Sequence, residues 1–231
     1  MTATTLQLRS FYVGYHQPSD AAKIKRPLCF SVMRLRRRVS WFADEFILDS
    51  GGYNEITKHG HYRMSAEEYG STVNDLRRMG GMVWAAQQDF MCEPEATSRT
   101  GLTVRDHQQL STARLIYNLK FTDVIPVVQG RSLADYEIHA SELRRLGRFP
   151  VVGVGSVCCR KKTAEINDIY DVVKNVFWDA TLHGFGVKTQ TKFESSDSMA
   201  WSIHERKTGG NPNSWVAAQK YYDKTVSKIT S

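Results

Sequence analysis

The residues best placed to do chemistry share one relation to their neighbours: polar groups that close short apolar runs. Phe46-Ile-Leu-Asp-Ser-Gly-Gly-Tyr53 is the most informative such stretch. Its three apolar residues predict a buried strand, and Asp49 ends it. A carboxylate in that position is costly to desolvate, so it usually has a task there. Gly51 and Gly52 lack a Cβ, which lets backbone and ligand approach closely. Read alone, the stretch fits equally well Asp49-Ser50 capping the helix that follows. The pattern recurs, however. Gln87-Gln88-Asp89 follows a fourth run, Gln129-Gly130 a fifth, Gly153-Val154-Gly155-Ser156 a sixth and Lys188 a seventh, and Asp197 lies at an eighth. Any one of these fits a cap or turn, but six in the same relative position point to a shared site. They offer carboxylates for proton transfer or nucleophilic attack, amides that both donate and accept, and glycine backbone. No metal-ligand trio, glycine-rich phosphate loop or G-x-S-x-G elbow competes with that chemistry.

The elements that must position these groups alternate along the chain. The apolar runs are Phe11–Tyr15, Leu28–Val32, Phe46–Leu48, Met82–Ala86, Val124–Val128, Val151–Val154, Leu182–Val187 and a weaker one near Ser198–Trp201. Amphipathic segments separate several of them. One opens at Ser65-Ala-Glu-Glu with a capping-box pattern, and others run from Ser132 to Leu146 and from Ala164 to Phe177. Strands alternating with helices predict parallel βαβ units, and eight strands predict a single (β/α)8 TIM-like barrel. The barrel is expected to be compact and irregular in its first two βα connections, which are poorly helical. Trp215 to Lys228 reads as a closing helix. No repeat or linker divides the chain, so residues 1–231 are expected to form one domain whose motif-bearing core is 46–202.

Composition bounds the function. Hydrophobic residues at 41% and charged residues at 24% of 231 are those of an ordinary globular protein. No run approaches the ~18 apolar residues of a membrane span, and the amino-terminal segment lacks an apolar signal core, so neither a membrane nor export is expected. Cys29, Cys92, Cys158 and Cys159 have no C-x-x-C spacing, which argues against a disulfide framework or a zinc site and fits a reducing cytoplasm. The net charge of +7 favours polyanionic partners. Arg34, Arg36, Arg37 and Arg38 form one basic cluster and Arg160-Lys161-Lys162 another. Either alone reads as a solvated face. Two clusters that each follow a predicted strand point toward phosphate contact, since barrel sites gather at strand ends.

The motifs resemble a known family. Asp49-Ser-Gly-Gly-Tyr53, Asp89, Val128-Gln-Gly130, Val152-Gly-Val-Gly155, His183-Gly-Phe-Gly186 and Asp197 occur in the order seen in queuine-type tRNA-guanine transglycosylases. The chain is more similar to the phage and genomic-island branch of DpdA-type proteins that put 7-deazaguanines into DNA. Gln88-Asp-Phe-Met-Cys-Glu-Pro94, Thr100-Gly-Leu102 with His107-Gln108, Val154-Gly-Ser-Val-Cys158 and Ser196-Asp-Ser-Met-Ala-Trp-Ser202 carry that likeness, over roughly residues 46–202. Two departures from the tRNA enzymes favour DNA over tRNA: no cysteine lies beyond Cys159, and Met199-Ala-Trp-Ser-Ile-His-Glu-Arg206 stands where they have a Pro-Thr-Arg segment. The resemblance implies a DNA-guanine transglycosylase with Asp197 as nucleophile and Asp49 as proton shuttle. Ser50, Gly51, Gly52, Gln88, Asp89, Gln129, Gly130, Gly153, Val154 and Gly155 would bind the base, with Asp89 accepting from the guanine edge and Gln129 donating to O6. The arginine and lysine clusters would contact nucleic acid, with no metal or other cofactor required. Tyr53, Phe90 and Trp201 are candidates to stack on a flipped base, although Trp201 reads better as core. DNA, guanine and a 7-deazaguanine base are the expected partners, in the cytoplasm of a prokaryotic or phage-infected cell. A tRNA-guanine transglycosylase, a non-catalytic purine- or nucleic-acid-binding barrel and a glycosylase that only excises bases are the alternatives.

Overall fold

The computed structural model describes residues 10–36 and 43–229. Eight parallel strands form one sheet: β1 Ser10–Gly14, β2 Leu28–Ser31, β3 Phe46–Asp49, β4 Met82–Ala85, β5 Val127–Val128, β6 Val151–Val154, β7 Thr181–Gly184 and β8 Ser195–Ser198. Their order is β4-β3-β2-β1-β8-β7-β6-β5. The sheet curls until its end strands meet, but no ladder joins them. A single parallel bridge links Ala86 to Ile125. Beyond it the chain turns away at Gln87, whose buried side chain replaces the missing strand partner. Its Oε1 accepts from Val127 N–H at 3.2 Å, and its Nε2 donates to Ser111 O at 2.9 Å. Pro126, with no N–H to give, shortens the ladder between β5 and β6 to Val127 and Val128.

Strand alternation sorts the side chains. Phe11, Val13, Phe30, Phe46, Leu48, Val128, Val152, Val154 and Leu182 pack outward into the main core beneath the helices. Tyr12, Cys29, Ile47, Trp84 and Val127 fill the interior of the curl. Two residues beyond Ile47 on the same face stands Asp49. By the same parity Asp197 lies beside Tyr12, its register partner on β1.

The helices follow the strands. A 3-10 helix at Pro18–Lys23 and α1, Val32–Leu35, make the first two connections, both short as expected. Then come α2 Gly52–His59, α3 Ala66–Met79, α4 Pro94–Thr100, α5 Val104–Asn118, α6 Leu133–Leu146, α7 Thr163–Val176, α8 Ala200–Thr208 and α9 Trp215–Ile229. In α3, Ser65 Oγ accepts from Glu68 N–H at 3.0 Å, and Tyr69, Val73 and Leu76 form the buried stripe. The eighth strand differs from its expected position. It is the polar stretch Ser195-Ser-Asp-Ser198, and the apolar Ala200-Trp201 already belongs to α8. Arg37 and Arg38 lie outside the described residues.

Candidate active site

The carboxyl ends of the strands open into a cavity of about 710 Å³ lined by Asp49, Asp89, Gln129, Gly155 and Asp197, with Gly52, Tyr53, Phe185 and Gly186. The ends of β3, β4, β5 and β8, or the loops that follow them, therefore bring four of the expected polar side chains together.

Asp49 ends β3 and is half-buried, its Oδ2 accepting from Gly51 N–H at 2.9 Å. Burial pushes its pKa up to about 7, the charge of Asp89 adds to the rise, and the Gly51 N–H opposes it. A carboxyl group with that pKa holds and releases a proton near neutrality. Gly51 makes the geometry possible, since its φ is +76° and a Cβ there would meet Ser31 Oγ at 2.7 Å. A Cβ on Gly52 would meet the Tyr62 hydroxyl at 2.3 Å. Both glycines thus make room for the protein's own side chains.

Asp89 follows β4 and is buried. Ser50 donates to its Oδ1 at 3.1 Å and Gln129 Nε2 to its Oδ2, while the Tyr62 hydroxyl holds its carbonyl at 2.7 Å. Burial raises its pKa to about 6, against those donors. Each carboxylate oxygen keeps lone-pair capacity for a further donor. Gln129 is clamped through its backbone: its N–H donates to His139 Nδ1 at 2.9 Å, and its carbonyl accepts from Gln108 Nε2 at 2.8 Å. Its amide lies where a Cβ of Gly155 would be, 2.1 Å from Gln129 Nε2. Gly155 therefore serves the site by leaving that space.

Asp197, on β8, is held by two donors. Gly186 N–H reaches its Oδ1 at 2.9 Å, and His183 Nε2 faces the same oxygen at 3.2 Å. No N–H or O–H donor reaches Oδ2 among the described residues. The buried Cys29 thiol lies beside both Asp197 and Asp49, and burial followed by those two charges drives its pKa far up. His183 is fully buried, its other nitrogen 2.8 Å from Ser195 Oγ and its ring packed edge-on to Trp84 and Phe185.

Several expected residues sit elsewhere. Gln88 is turned into the core, where its Nε2 donates to Met64 O at 2.9 Å and its Oε1 accepts from Asn118. Val154 is outward-facing core, and the N–H groups of Gly153 and Gly155 are spent on Pro126 O and Val128 O in the sheet. Gly130 faces a neighbouring cavity of about 520 Å³ that also holds Arg160, Lys161 and Lys162. There Arg160 pairs with Glu165 at 2.8 Å. Phe90 packs on Tyr62 and His107, and Trp201 stacks on Tyr15 with its indole N–H on Gly14 O. Tyr53, 53% exposed, is the one of the three expected aromatics at the cavity. Arg34 lines the rim, and Arg36 ends α1.

Other residues of the cavity carry no distinct functional mark in the sequence. Arg206 lines the cavity with Arg34 and His16. Burial and then the charges of Arg34 and Arg206 depress the His16 pKa to about 4. Neither guanidinium has a carboxylate partner among the described residues, so the rim favours an anion. His183, Glu93 and Ser156 stand within motifs quoted from the sequence, but no individual role is legible for them there.

Fold and site define a class: an α/β chain with a carboxylate-lined cavity at the carboxyl ends of a curled parallel sheet, where sites of such folds gather. The chain belongs to the DpdA family, DeoxyPurine in DNA protein A, whose model it matches over residues 7–219. No curated protein matches the chain. Among solved structures it is similar to the carboxyl transferase domain from Rhizobium etli pyruvate carboxylase, at 11% identity and TM-score 0.47 over 96% of this chain and 48% of that one. The same domain with pyruvate matches at 10% identity and TM-score 0.50 over 98% and 48%. At such identities the likeness is of fold alone. The chain spans about half the length of these structures.

Proposed function

We propose that the protein exchanges guanine in DNA for a 7-deazaguanine base through a covalent aspartyl–deoxyribose intermediate. The observation that carries this reading is that Asp197, Asp49, Asp89 and Gln129 line one cavity. The curled sheet then works as a (β/α)8 barrel whose seam at Gln87 lets the chain turn so that Asp89 faces the base. Asp197 bonds through a carboxylate oxygen to C1′ of a flipped nucleotide, and the C1′–N9 bond breaks with its electron pair leaving on guanine. Protonated Asp49 gives its proton to the departing base. Asp49, now a carboxylate, takes the N9 proton of the incoming deazaguanine. That nitrogen attacks C1′, and the bonding pair returns to Asp197. Asp89 accepts from the N1–H and exocyclic amine, and Gln129 Nε2 donates to O6. Tyr53 is available to stack on the flipped base or fill its gap, and Arg34 and Arg206 suit the flanking phosphates.

The test offers labelled guanine with DNA and, in parallel, with tRNA, and looks for a protein–nucleic acid adduct on denaturing gels. The expected result is label entering DNA, an adduct with wild-type protein, and loss of both in Asp197→Ala. Exchange at the wild-type rate by Asp197→Ala would overturn the nucleophile. Label entering tRNA in preference to DNA would overturn the substrate. DNA binding with neither exchange nor adduct would return the chain to a binding protein.

A further inference from the structure

One carboxyl group in the cavity wall has no part in that chemistry. Glu93 precedes α4, is 6% exposed, and places Oε2 2.9 Å from Ser156 Oγ. The same hydroxyl lies 2.6 Å from Gln129 Oε1 and accepts from Cys92 N–H at 2.9 Å. A hydroxyl has one proton and two lone pairs. Here it meets one N–H and two oxygens. The Gln129 amide is oriented from its other end, because Nε2 must face Asp89 Oδ2 and Oε1 is then left for Ser156. The single hydroxyl proton cannot serve both Gln129 Oε1 and an ionised Glu93. The count closes when Glu93 is a carboxylic acid: Glu93 donates to Ser156, Ser156 to Gln129 Oε1, and Gln129 Nε2 to Asp89. Burial raises the Glu93 pKa, with the charges of Asp89 and Glu95 acting the same way. The backbone is consistent with a selected hydroxyl. Ser156 has φ +54°, the only positive φ at a non-glycine position among the described residues.

We propose that Glu93, as a carboxylic acid, and Ser156 are positioning residues that lock the Gln129 amide with Nε2 toward the base, so that the site takes 6-oxo purines and rejects 6-amino ones. The proposal rests on the base-exchange reading of the site. In the locked orientation the second Nε2 hydrogen meets a carbonyl oxygen of guanine or a 7-deazaguanine. The amino group of a 6-amino purine would bring a second donor against it. Freed of the lock, the amide can rotate and offer Oε1 instead.

The experiment is calorimetric binding of guanine and of 2,6-diaminopurine to the full chain and its variants. Wild-type protein is expected to prefer guanine. Glu93→Ala and Ser156→Ala should lose roughly 10-fold or more of that preference, the scale of one misoriented buried hydrogen bond. Glu93→Gln, neutral and still an N–H donor to Ser156, should restore it. Ser156→Gly relieves the left-handed φ while removing the hydroxyl, so it serves where Ser156→Ala does not fold. Wild-type preference in Glu93→Ala or Ser156→Gly would overturn the proposal alone, as would a Glu93→Gln variant as indiscriminate as Glu93→Ala. A wild-type chain that binds neither base would overturn the base-exchange reading and this proposal with it.

Discussion

Asp49→Asn should make the protein more stable above neutral pH and inactive at every pH. Burial, with the charge of Asp89, lifts the Asp49 pKa from 3.8 to about 7. At about 1.4 kcal/mol per pKa unit, the ionised form costs the folded state on the order of 4 kcal/mol. The substituted asparagine has nearly the same volume, keeps an oxygen for the Gly51 N–H, and never ionises. The sign follows from the proton count. Below about pH 4 the carboxyl group is protonated in both folded and unfolded wild-type chains, so the two proteins should match. Between 4 and 7 only the folded wild type retains the proton, and its stability falls steadily as the pH rises. Above about 7 both states are ionised and the gap stays constant. For a chain of this length each kcal/mol moves the melting temperature by about 2–4 °C, so the variant should melt on the order of 10 °C higher at pH 8. Thermal unfolding of both proteins from pH 4.5 to pH 8.5, beside a base-exchange assay, checks this. Parallel stability curves, or an equal gap at both ends of the range, would refute a buried, charge-disfavoured Asp49.

The site supports further predictions. Asp89→Asn removes the second-largest cause of the Asp49 rise, so the pH at which the Asp49→Asn gap saturates should move down in that background; an unmoved midpoint would uncouple the two. His183→Phe keeps the packing against Trp84 and Phe185 and loses the donor to Asp197. Quenched-flow measurement of the adduct should show its formation slowed roughly 10–100-fold, with base KM unchanged and partial recovery in His183→Gln; an unaffected Phe variant would leave the ring a packing role only. Arg34→Gln and Arg206→Gln should each lower the slope of log Kobs against log salt for DNA by about 1. An unchanged slope would take that arginine off the phosphate path.

The parts of this site legible in sequence are those that a single strand announces. Ile47 and Asp49 share a face by alternation, so a buried run ending in an acid already aims that acid into the interior. The same holds for Gln129 after Val127. Gln88 misleads because it is adjacent to Asp89 and chemically similar to Gln129, yet alternation sends it outward to Asn118 and Met64. Strand β8 escapes placement because a strand made of Ser195, Ser196, Asp197 and Ser198 has no apolar signal at all. Helix α5 is hard to see for a related reason: His107, Gln108, Ser111 and Asn118 are buried and work as clamps for the site. Glu93 and Ser156 meet across 63 residues of sequence. No local pattern encodes that contact, and only the folded strand ends bring it about.

Three aspartates at one mouth would repel each other if each were an exposed carboxylate, and the fold separates them by the donors it supplies. Asp197 receives the Gly186 N–H and faces His183, both on Oδ1. With both contacts on one oxygen, the second stays available for the proposed attack. Asp49 is held by backbone N–H groups and is otherwise desolvated, which suits it to the proposed exchange of protons near neutrality. Asp89 is bound on both oxygens by Ser50 and Gln129, an arrangement suited to reading a base edge and ill-suited to nucleophilic attack. The proposed roles therefore follow from the number and kind of donors around each carboxyl group. Removing the His183 donor should weaken Asp197 in its proposed nucleophilic role without making Asp49 a nucleophile, because Asp49 remains protonated up to about neutral pH.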